Sequence, residues 1–214
     1  MEYILHSHRK GVFLANNDNA FKDDFQSILD TIESITDDNL ISDFNLKKLS
    51  ISSNKSLSRS INEILKERLT NKGWKKESKI FKPAAYQNSA WRLDFAKNSI
   101  CIEVSFNHGE AAAHNLMKTV IASELNHVSK EIQTGLGVII VITEDLKIKG
   151  NFDSAVGVIE KYESYLNPYM LYLTTPLVLI GLKAPKTFYI DKKTKGVVMN
   201  DSNAETNLFN DSTN

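Results

Sequence analysis

The chain has 214 residues, 42% of them apolar and 24% charged, which is enough to bury the core of one globular domain. Its 26 basic and 26 acidic side chains cancel, so net charge neither requires nor excludes a polyanionic partner. The sequence shows no secretory leader, no run of roughly 18 apolar residues and only one cysteine, Cys101. These features exclude an internal disulfide and predict a cytoplasmic protein without a membrane span.

The first part of the chain predicts two amphipathic helices. Apolar residues recur at helical spacing over 19–35 and again over 57–69, and Gly73 follows the second run. The Ser- and Asn-rich stretch 50–56 predicts a loop before the second helix.

The middle of the chain predicts a β-hairpin followed by a long helix. Residues 91–95 and 100–106 alternate apolar and polar side chains, and the polar segment 96–99 separates them. Beyond them, residues 110–132 carry apolar side chains on one helical face.

The last part predicts the remainder of a sheet. Residues 138–142 form a continuous apolar run, typical of a central strand that is buried on both faces. We further predict a loop, a helix, a second buried strand and two short strands at the sheet edge: 144–152, 153–166, 176–182, 187–190 and 196–199. The fold class is therefore α/β, a central mixed sheet flanked by helices, in one domain over 1–199. The polar segment 200–214 is predicted to be a disordered tail.

Two acidic residues of the predicted hairpin are candidates for metal binding. Alternation along 100–106 places Cys101, Glu103 and Ser105 on one face of the strand. A symmetric hairpin closed by 96–99 places Asp94 opposite Cys101 and diagonal to Glu103. Two such carboxylates repel each other unless a cation compensates them, and Mg²⁺ binds carboxylates together with water and phosphate oxygens. Two ordinary surface acids would give the same spacing, so spacing alone leaves both readings open.

The sequence around these acids resembles a known nuclease motif. The segment Leu93-Asp-Phe, eight residues between the acids, and Ile102-Glu-Val-Ser-Phe-Asn resemble the PD-(D/E)xK motif, and more closely the BglII family of type II restriction endonucleases. The resemblance extends over roughly 58–182, through the segments that begin at Ile61, Ile121, Gly137 and Leu177.

The resemblance implies a restriction-endonuclease-like fold and a site-specific deoxyribonuclease. It implies Mg²⁺ bound by Asp94 and Glu103, double-stranded DNA cut within a short palindrome to leave 5′-phosphate ends, and a homodimer with its interface on the helix 110–132. A companion methyltransferase would protect host DNA. Sites of the family contain GATC, one candidate core for the site recognised here.

The sequence departs from the motif at Ser105, where the general motif has Lys and the BglII-like enzymes have Gln. Ser105 is therefore expected to assist by hydrogen bonding, and the metal must activate the attacking water. Glu63 is the first candidate for a supporting acid, because it lies in the helix that resembles the family's upstream helix. Glu77, which follows Gly73-Trp-Lys-Lys, is the second candidate.

Residues that would contact DNA are predicted in two ways: Asn107 and His108 directly follow the catalytic strand, and the resemblance implies that the loop with Asn151, Asp153 and Ser154 enters the major groove. Basic residues gather over 72–79 and 183–195, and either cluster suits phosphate contacts or an ordinary solvated surface. Base reading requires amide, hydroxyl or charged groups near the catalytic strand. The candidates for DNA contact are Asn107, His108, Asn151, Asp153, Ser154 and Lys186.

Two alternative functions stay open at this point. A repair or mobile-element nuclease of the same fold would carry the same acids without a palindromic preference. A non-catalytic DNA-binding protein would be compatible with Ser105 in place of the motif's lysine.

Overall fold

A six-stranded mixed sheet forms the centre of the molecule in the computed structural model, which describes residues 1–50, 54–125 and 127–200. The strand order is β1-β6-β5-β4-β3-β2. Strands β4, β5 and β6 are parallel, and β1, β2 and β3 pair in antiparallel fashion with their neighbours. The strands are β1 (Tyr3–His8), β2 (Lys75–Lys79), β3 (Arg92–Lys97), β4 (Ile100–Val104), β5 (Leu136–Ile142) and β6 (Leu177–Leu182).

Helices cover both faces of this sheet, which explains the continuous apolar run of β5. Alternate residues of β5 enter opposite cores: Val138 packs with the N-terminal helices, and Ile139 packs with α5 and α7. The helices are α1 (Gly11–Asn17), α2 (Lys22–Glu33), α3 (Asp37–Ser50), α4 (Ser58–Asn71), α5 (Ala112–Ser123), α6 (Glu144–Lys149) and α7 (Ile159–Leu166). The predicted α/β class with a central mixed sheet is confirmed.

Several predicted boundaries were wrong. The helix predicted over 110–132 begins with a short 3-10 turn and ends at Ser123, where Glu124 adopts an extended conformation. The loop predicted over 144–152 contains α6, capped by the Thr143 side chain, and the helix predicted from 153 begins only at Ile159.

The two short C-terminal strands were predicted correctly, but their place was not. Strands β7 (Phe188–Ile190) and β8 (Val197–Met199) form a separate two-stranded sheet. Phe188 and Ile190 anchor this small sheet in the main core. The edges of the central sheet are β1 and β2.

Two predictions about the ends of the chain stay as predictions. The tail predicted from 200 lies, apart from Asn200, outside the described residues. The single domain over 1–199 is likewise untested. Within the part of the chain that is described, no helix has the length and apolar character needed to cross a bilayer.

Candidate active site

The β3–β4 hairpin is tighter than the sequence suggested. Lys97 pairs with Ile100 and Ala96 with Cys101, so the turn consists of Asn98 and Ser99 alone. Asn98 adopts a positive φ of 46°, which asparagine tolerates better than most residues. The predicted pairing of Asp94 with Cys101 was therefore wrong. Extending the observed register by one residue beyond Phe95 and Ile102 places Asp94 across from Glu103.

Strands β3 and β4 separate at Asp94. Their pairing runs as far as Phe95 and Ile102, and beyond it the Val104 N–H donates to Asp94 Oδ2 at 2.7 Å. A side-chain oxygen thus takes the place of a strand carbonyl, which fixes the Asp94 carboxylate at the opening between the strands. Burial raises the pKa of Asp94, while this hydrogen bond acts in the opposite direction.

Glu103 lies on the face of β4 that α5 covers, where it contacts Lys118. The residue is only 3% exposed. Burial, and then the negative charge of Asp94, raise the pKa of Glu103 to about 8. The two carboxylates are therefore close enough to interact electrostatically, in a setting where a cation would favour the charged form of both.

Lys118 of α5 provides one such cation, and sequence reasoning missed it. Its Nζ forms an ion pair with Glu103 Oε2 at 2.5 Å and donates to the Arg92 carbonyl at 2.9 Å. The sequence did contain a signal, because Lys118 is the only Asp, Glu, Lys or Arg between Ala112 and Ser123. A lone charge in a helix that is otherwise uncharged requires a partner when the helix is buried.

Ser105 is part of a buried hydrogen-bond network. Its hydroxyl donates to Asn107 Oδ1 at 2.8 Å and accepts from Asn115 Nδ2 at 2.8 Å and from the Tyr162 hydroxyl. At 1% exposure, Ser105 has three protein partners, so the network positions the end of β4 against α5 and α7. Asn115 and Tyr162 were not predicted from the sequence.

Asp94 opens onto a cleft of about 290 Å³ that also contains both candidates for a supporting acid. We call it the acidic cleft, and it is lined by Asn62, Glu63, Lys66, Lys76, Glu77, Asp94, Phe95 and Val104. Glu63 is bound to Lys47 by an ion pair of 3.0 Å. Glu77 lies next to Asp94 in the β2–β3 pairing, and its negative charge contributes to the raised pKa of Asp94.

A second cavity, of about 610 Å³, adjoins the acidic cleft through Asn62 and Glu63. We call it the polar groove. It contains two of the predicted DNA-contact residues, Asn151 and Asp153, together with basic residues. Its lining residues are Asn54, Lys55, Ser56, Ser58, Arg59, Asn62, Glu63, Asn151, Phe152, Asp153 and Lys195.

The other predicted DNA-contact residues are more dispersed. Asn107 and Ser154 are exposed, and His108 lines a separate cavity beside Gly157. Lys186 lies in another cavity with the N-terminal residues, where its ammonium group is paired with Glu2. The structure therefore does not bring Lys186 to the acidic cleft or the polar groove.

The residues at this site suit a hard divalent cation. Within the described part of the chain, no group within hydrogen-bond geometry donates to the buried Glu103 Oε1, a setting in which a carboxylate oxygen can bind a metal. Among the described residues, no group of three or more His, Cys, Asp or Glu side chains is placed to hold a metal. A site with two carboxylates fits Mg²⁺, which keeps several waters and accepts phosphate oxygens as further ligands.

A solved restriction endonuclease shares the fold of this chain. The chain is similar to a crystal structure of the restriction endonuclease BglII complexed with a DNA 16-mer, with a TM-score of 0.61 and 17% identity over 92% of this chain and 87% of that chain. It is also similar to free BglII, with a TM-score of 0.49 and 13% identity over 93% and 90% of the two chains. No curated protein sequence matches the chain at a significant level. The family model "Restriction endonuclease BglII/BglIII" matches residues 3–182. The chain therefore belongs to the BglII/BglIII restriction endonuclease family and is a site-specific deoxyribonuclease.

Proposed function

We propose that this protein is a type II restriction endonuclease that hydrolyses both strands of double-stranded DNA within a short palindrome, using Mg²⁺ and leaving 5′-phosphate ends. The observation that carries the proposal is the arrangement at the opening of the β3–β4 hairpin. There Asp94 is fixed by the Val104 N–H, and the adjacent Glu103 keeps one carboxylate oxygen without a partner.

Asp94 and Glu103 would hold the metal, which supplies polarisation of the phosphate and acidification of a water. Asp94 presents its carboxylate to the acidic cleft, where a phosphodiester has access. Glu103 presents its unpartnered oxygen from behind, while Lys118 binds the other oxygen. Burial of Glu103 limits competition from bulk water and strengthens electrostatic interactions at this point.

The polar groove supports a DNA substrate beside these acids. Lys55, Arg59 and Lys195 supply positive charge for phosphates, and Asn151 and Asp153 supply groups that can read base edges. Asn151 is held in place because its side-chain amide donates to the Lys55 carbonyl at 2.6 Å. The BglII crystal structure that contains a DNA 16-mer has a similar fold, which supports a duplex across this face.

A homodimer would match the symmetry of a palindrome, with each subunit cutting one strand. The apolar face of α5 does not offer the interface, because Leu116 and Val120 pack against α7 and the sheet. Exposed apolar side chains lie instead just after α5, at Leu125, and after α7, at Leu171 and Tyr172. The Thr174 hydroxyl, which donates to the Glu124 side chain, brings these two segments together.

Further parts of the proposal concern the cell. A cytoplasmic enzyme of this type needs a companion methyltransferase of the same specificity, because unprotected host DNA would also be cut. A recognition sequence containing GATC is the first to test, since sites of the family contain it.

The decisive experiment is cleavage of plasmid DNA by the wild-type protein and by Asp94→Asn. We expect discrete fragments with Mg²⁺, none with EDTA, and a rate lower by on the order of 10³-fold in the variant, because a metal supplies several kcal/mol of transition-state stabilisation. Asp145→Asn, which changes an exposed acid on α6, is the matched control and should cut normally.

The pattern of products separates the alternatives. Discrete bands that map to one palindrome support restriction, whereas a continuous smear indicates a nuclease of the same fold without sequence preference. Binding of DNA with no Mg²⁺-dependent cutting would indicate a non-catalytic protein. Either of the last two results would refute the proposal.

A further inference from the structure

The site has a positive charge that does not come from the motif. Residue 105, two positions after the second acid, is serine, and its hydroxyl already has three hydrogen-bond partners. A buried cation nevertheless reaches Glu103, because Lys118 projects from α5 onto the same carboxylate. The charge that the general motif places on β4 is supplied in this chain by a different segment.

We infer that Lys118 is a positioning residue of the active site, which provides from α5 the cation that the motif lacks at Ser105. This inference rests on the proposed function, because it assigns Lys118 a role toward the metal held by Asp94 and Glu103. Lys118 binds Oε2 of Glu103, and the unpartnered Oε1 is thereby left for the metal.

The contacts of Lys118 support a fixed position. Only 8% of the residue is exposed, and its ammonium is held between Glu103 and the Arg92 carbonyl at the start of β3. Its positive charge also acts on Asp94, whose pKa it lowers against the larger effect of burial. One ammonium therefore connects α5 with the start of β3 and with Glu103 of β4.

A purely structural ion pair is the competing explanation, and the chain offers a matched example. Lys97 at the end of β3 pairs with Asp24 at 2.9 Å and donates to the Lys72 carbonyl at 3.1 Å. Lys97 thus shares two kinds of partner with Lys118, an acid and a backbone carbonyl, but its acid is Asp24 and not a proposed metal ligand, and its ammonium also lies over the Trp74 ring. Lys97→Met measures what the loss of such an ion pair does to the fold alone.

The test compares Lys118→Arg, Lys118→Gln and Lys118→Met with the wild type and Lys97→Met. Three properties are measured: single-turnover cleavage, Mn²⁺ binding to the metal-free protein by calorimetry, and DNA binding without metal. Thermal melting identifies the temperature at which every variant is folded.

We expect Lys118→Gln and Lys118→Met to cleave on the order of 10²-fold more slowly, and Lys118→Arg to retain more activity than either. Mn²⁺ affinity should fall by about 10- to 100-fold in Lys118→Met, as is usual when the partner of a metal ligand is removed. DNA affinity without metal should stay within about twofold, because Lys118 does not line either cavity. Lys97→Met should change melting only.

The inference is overturned if folded Lys118→Gln and Lys118→Met cleave and bind Mn²⁺ within about threefold of the wild type. Asp94→Asn, measured in the same assays, separates this result from failure of the proposed function. If Asp94→Asn is inactive while the Lys118 variants are normal, only the role of Lys118 is refuted. If Asp94→Asn also cleaves normally, the proposed metal site itself is refuted.

Discussion

Glu103 combines two properties that oppose each other in the absence of metal. It is buried next to Asp94, which favours the protonated acid, yet metal binding requires the carboxylate. The ion pair with Lys118 offsets part of this cost without removing it, because the pKa of Glu103 still rises to about 8. A divalent cation bound to both acids would stabilise the charged form of Glu103 further.

The pH dependence of cleavage should reveal this competition. Since the raised pKa of Glu103 keeps the acid protonated below about 8, the single-turnover rate should rise with pH, by about tenfold per unit below the midpoint. Metal stabilises the carboxylate, so the midpoint should move to lower pH as the Mg²⁺ concentration increases. Rate profiles at limiting and saturating Mg²⁺ measure the shift, and a midpoint that ignores Mg²⁺ would contradict this account.

The titration of Glu103 also affects the stability of the fold, which should fall with rising pH while the cleavage rate rises. A carboxyl group whose pKa is higher in the folded state binds more protons there, so its contribution to stability is lost as pH rises from 4.5 toward 8. The metal-free protein should therefore gain more in melting temperature from added Mg²⁺ at high pH than at low pH.

The end of β4 is held by the network around Ser105, and its contribution should be structural. Ser105→Ala removes the acceptor of the buried Tyr162 hydroxyl and one of the two acceptors of the buried Asn115 amide. We expect a loss of about 1–3 kcal/mol in the free energy of unfolding. Thermal or denaturant unfolding measures this loss.

Cleavage by the folded Ser105→Ala protein decides between structure and chemistry. We expect a rate within about tenfold of the wild type, because the hydroxyl is already occupied by protein partners. Tyr162→Phe removes a hydroxyl from the same network and serves as the control. A loss of several orders of magnitude in Ser105→Ala alone would assign Ser105 to the reaction.

Strand β2 places Glu77 nearer to Asp94 than sequence reasoning anticipated. Glu77 has a positive φ of 51°, unusual for a residue other than glycine and often found at functional sites. Glu77→Gln should raise the Mg²⁺ concentration that gives half-maximal cleavage by about tenfold. Glu63→Gln should have a smaller effect, because Glu63 already forms an ion pair with Lys47. Mg²⁺ titrations of cleavage rank the two, and the reverse order would make Glu63 the supporting acid.

These elements also show what the sequence could reveal. Strands β5 and β6 were predictable because burial on both faces leaves a continuous apolar run. Strand β2 was not, since Lys75–Lys79 is entirely polar and becomes a strand only by pairing with β3. Helix α3 buries only Leu40 and Phe44, too few apolar positions to reveal a periodicity.

The candidate site likewise contains residues that the sequence could reveal and residues that it could not. Asp94 and Glu103 could be proposed from the sequence because they lie close together in it and fit a motif. Lys118 was missed because its contact with Glu103 depends on how α5 packs against the sheet, which no local pattern encodes. The hairpin register differed because the turn uses two residues, and this shift altered the expected relation between the two acids.

At the scale of the whole molecule, the distribution of charge matters more than its sum. The net charge is zero, yet lysine and arginine side chains line both the acidic cleft and the polar groove. Lys186, by contrast, is paired with Glu2 in a different cavity. The polar groove beside the acidic cleft therefore carries local positive charge, from Lys55, Arg59 and Lys195, that suits a phosphate backbone.

Assembly provides the last prediction. Leu125 and Leu171 are 88% and 86% exposed and lie in two segments that the Thr174–Glu124 hydrogen bond brings together, so they are the exposed apolar residues that we assign to the proposed interface. Leu171→Asp places a charge in the proposed interface and should convert the proposed homodimer to a monomer, as measured by light scattering. Plasmid cleavage should then accumulate nicked circles, because each active site cuts its strand independently.

Leu49→Asp, which alters an 88% exposed leucine on α3, should remain dimeric. A wild-type monomer that cuts both strands, or a Leu171→Asp dimer, would contradict this interface.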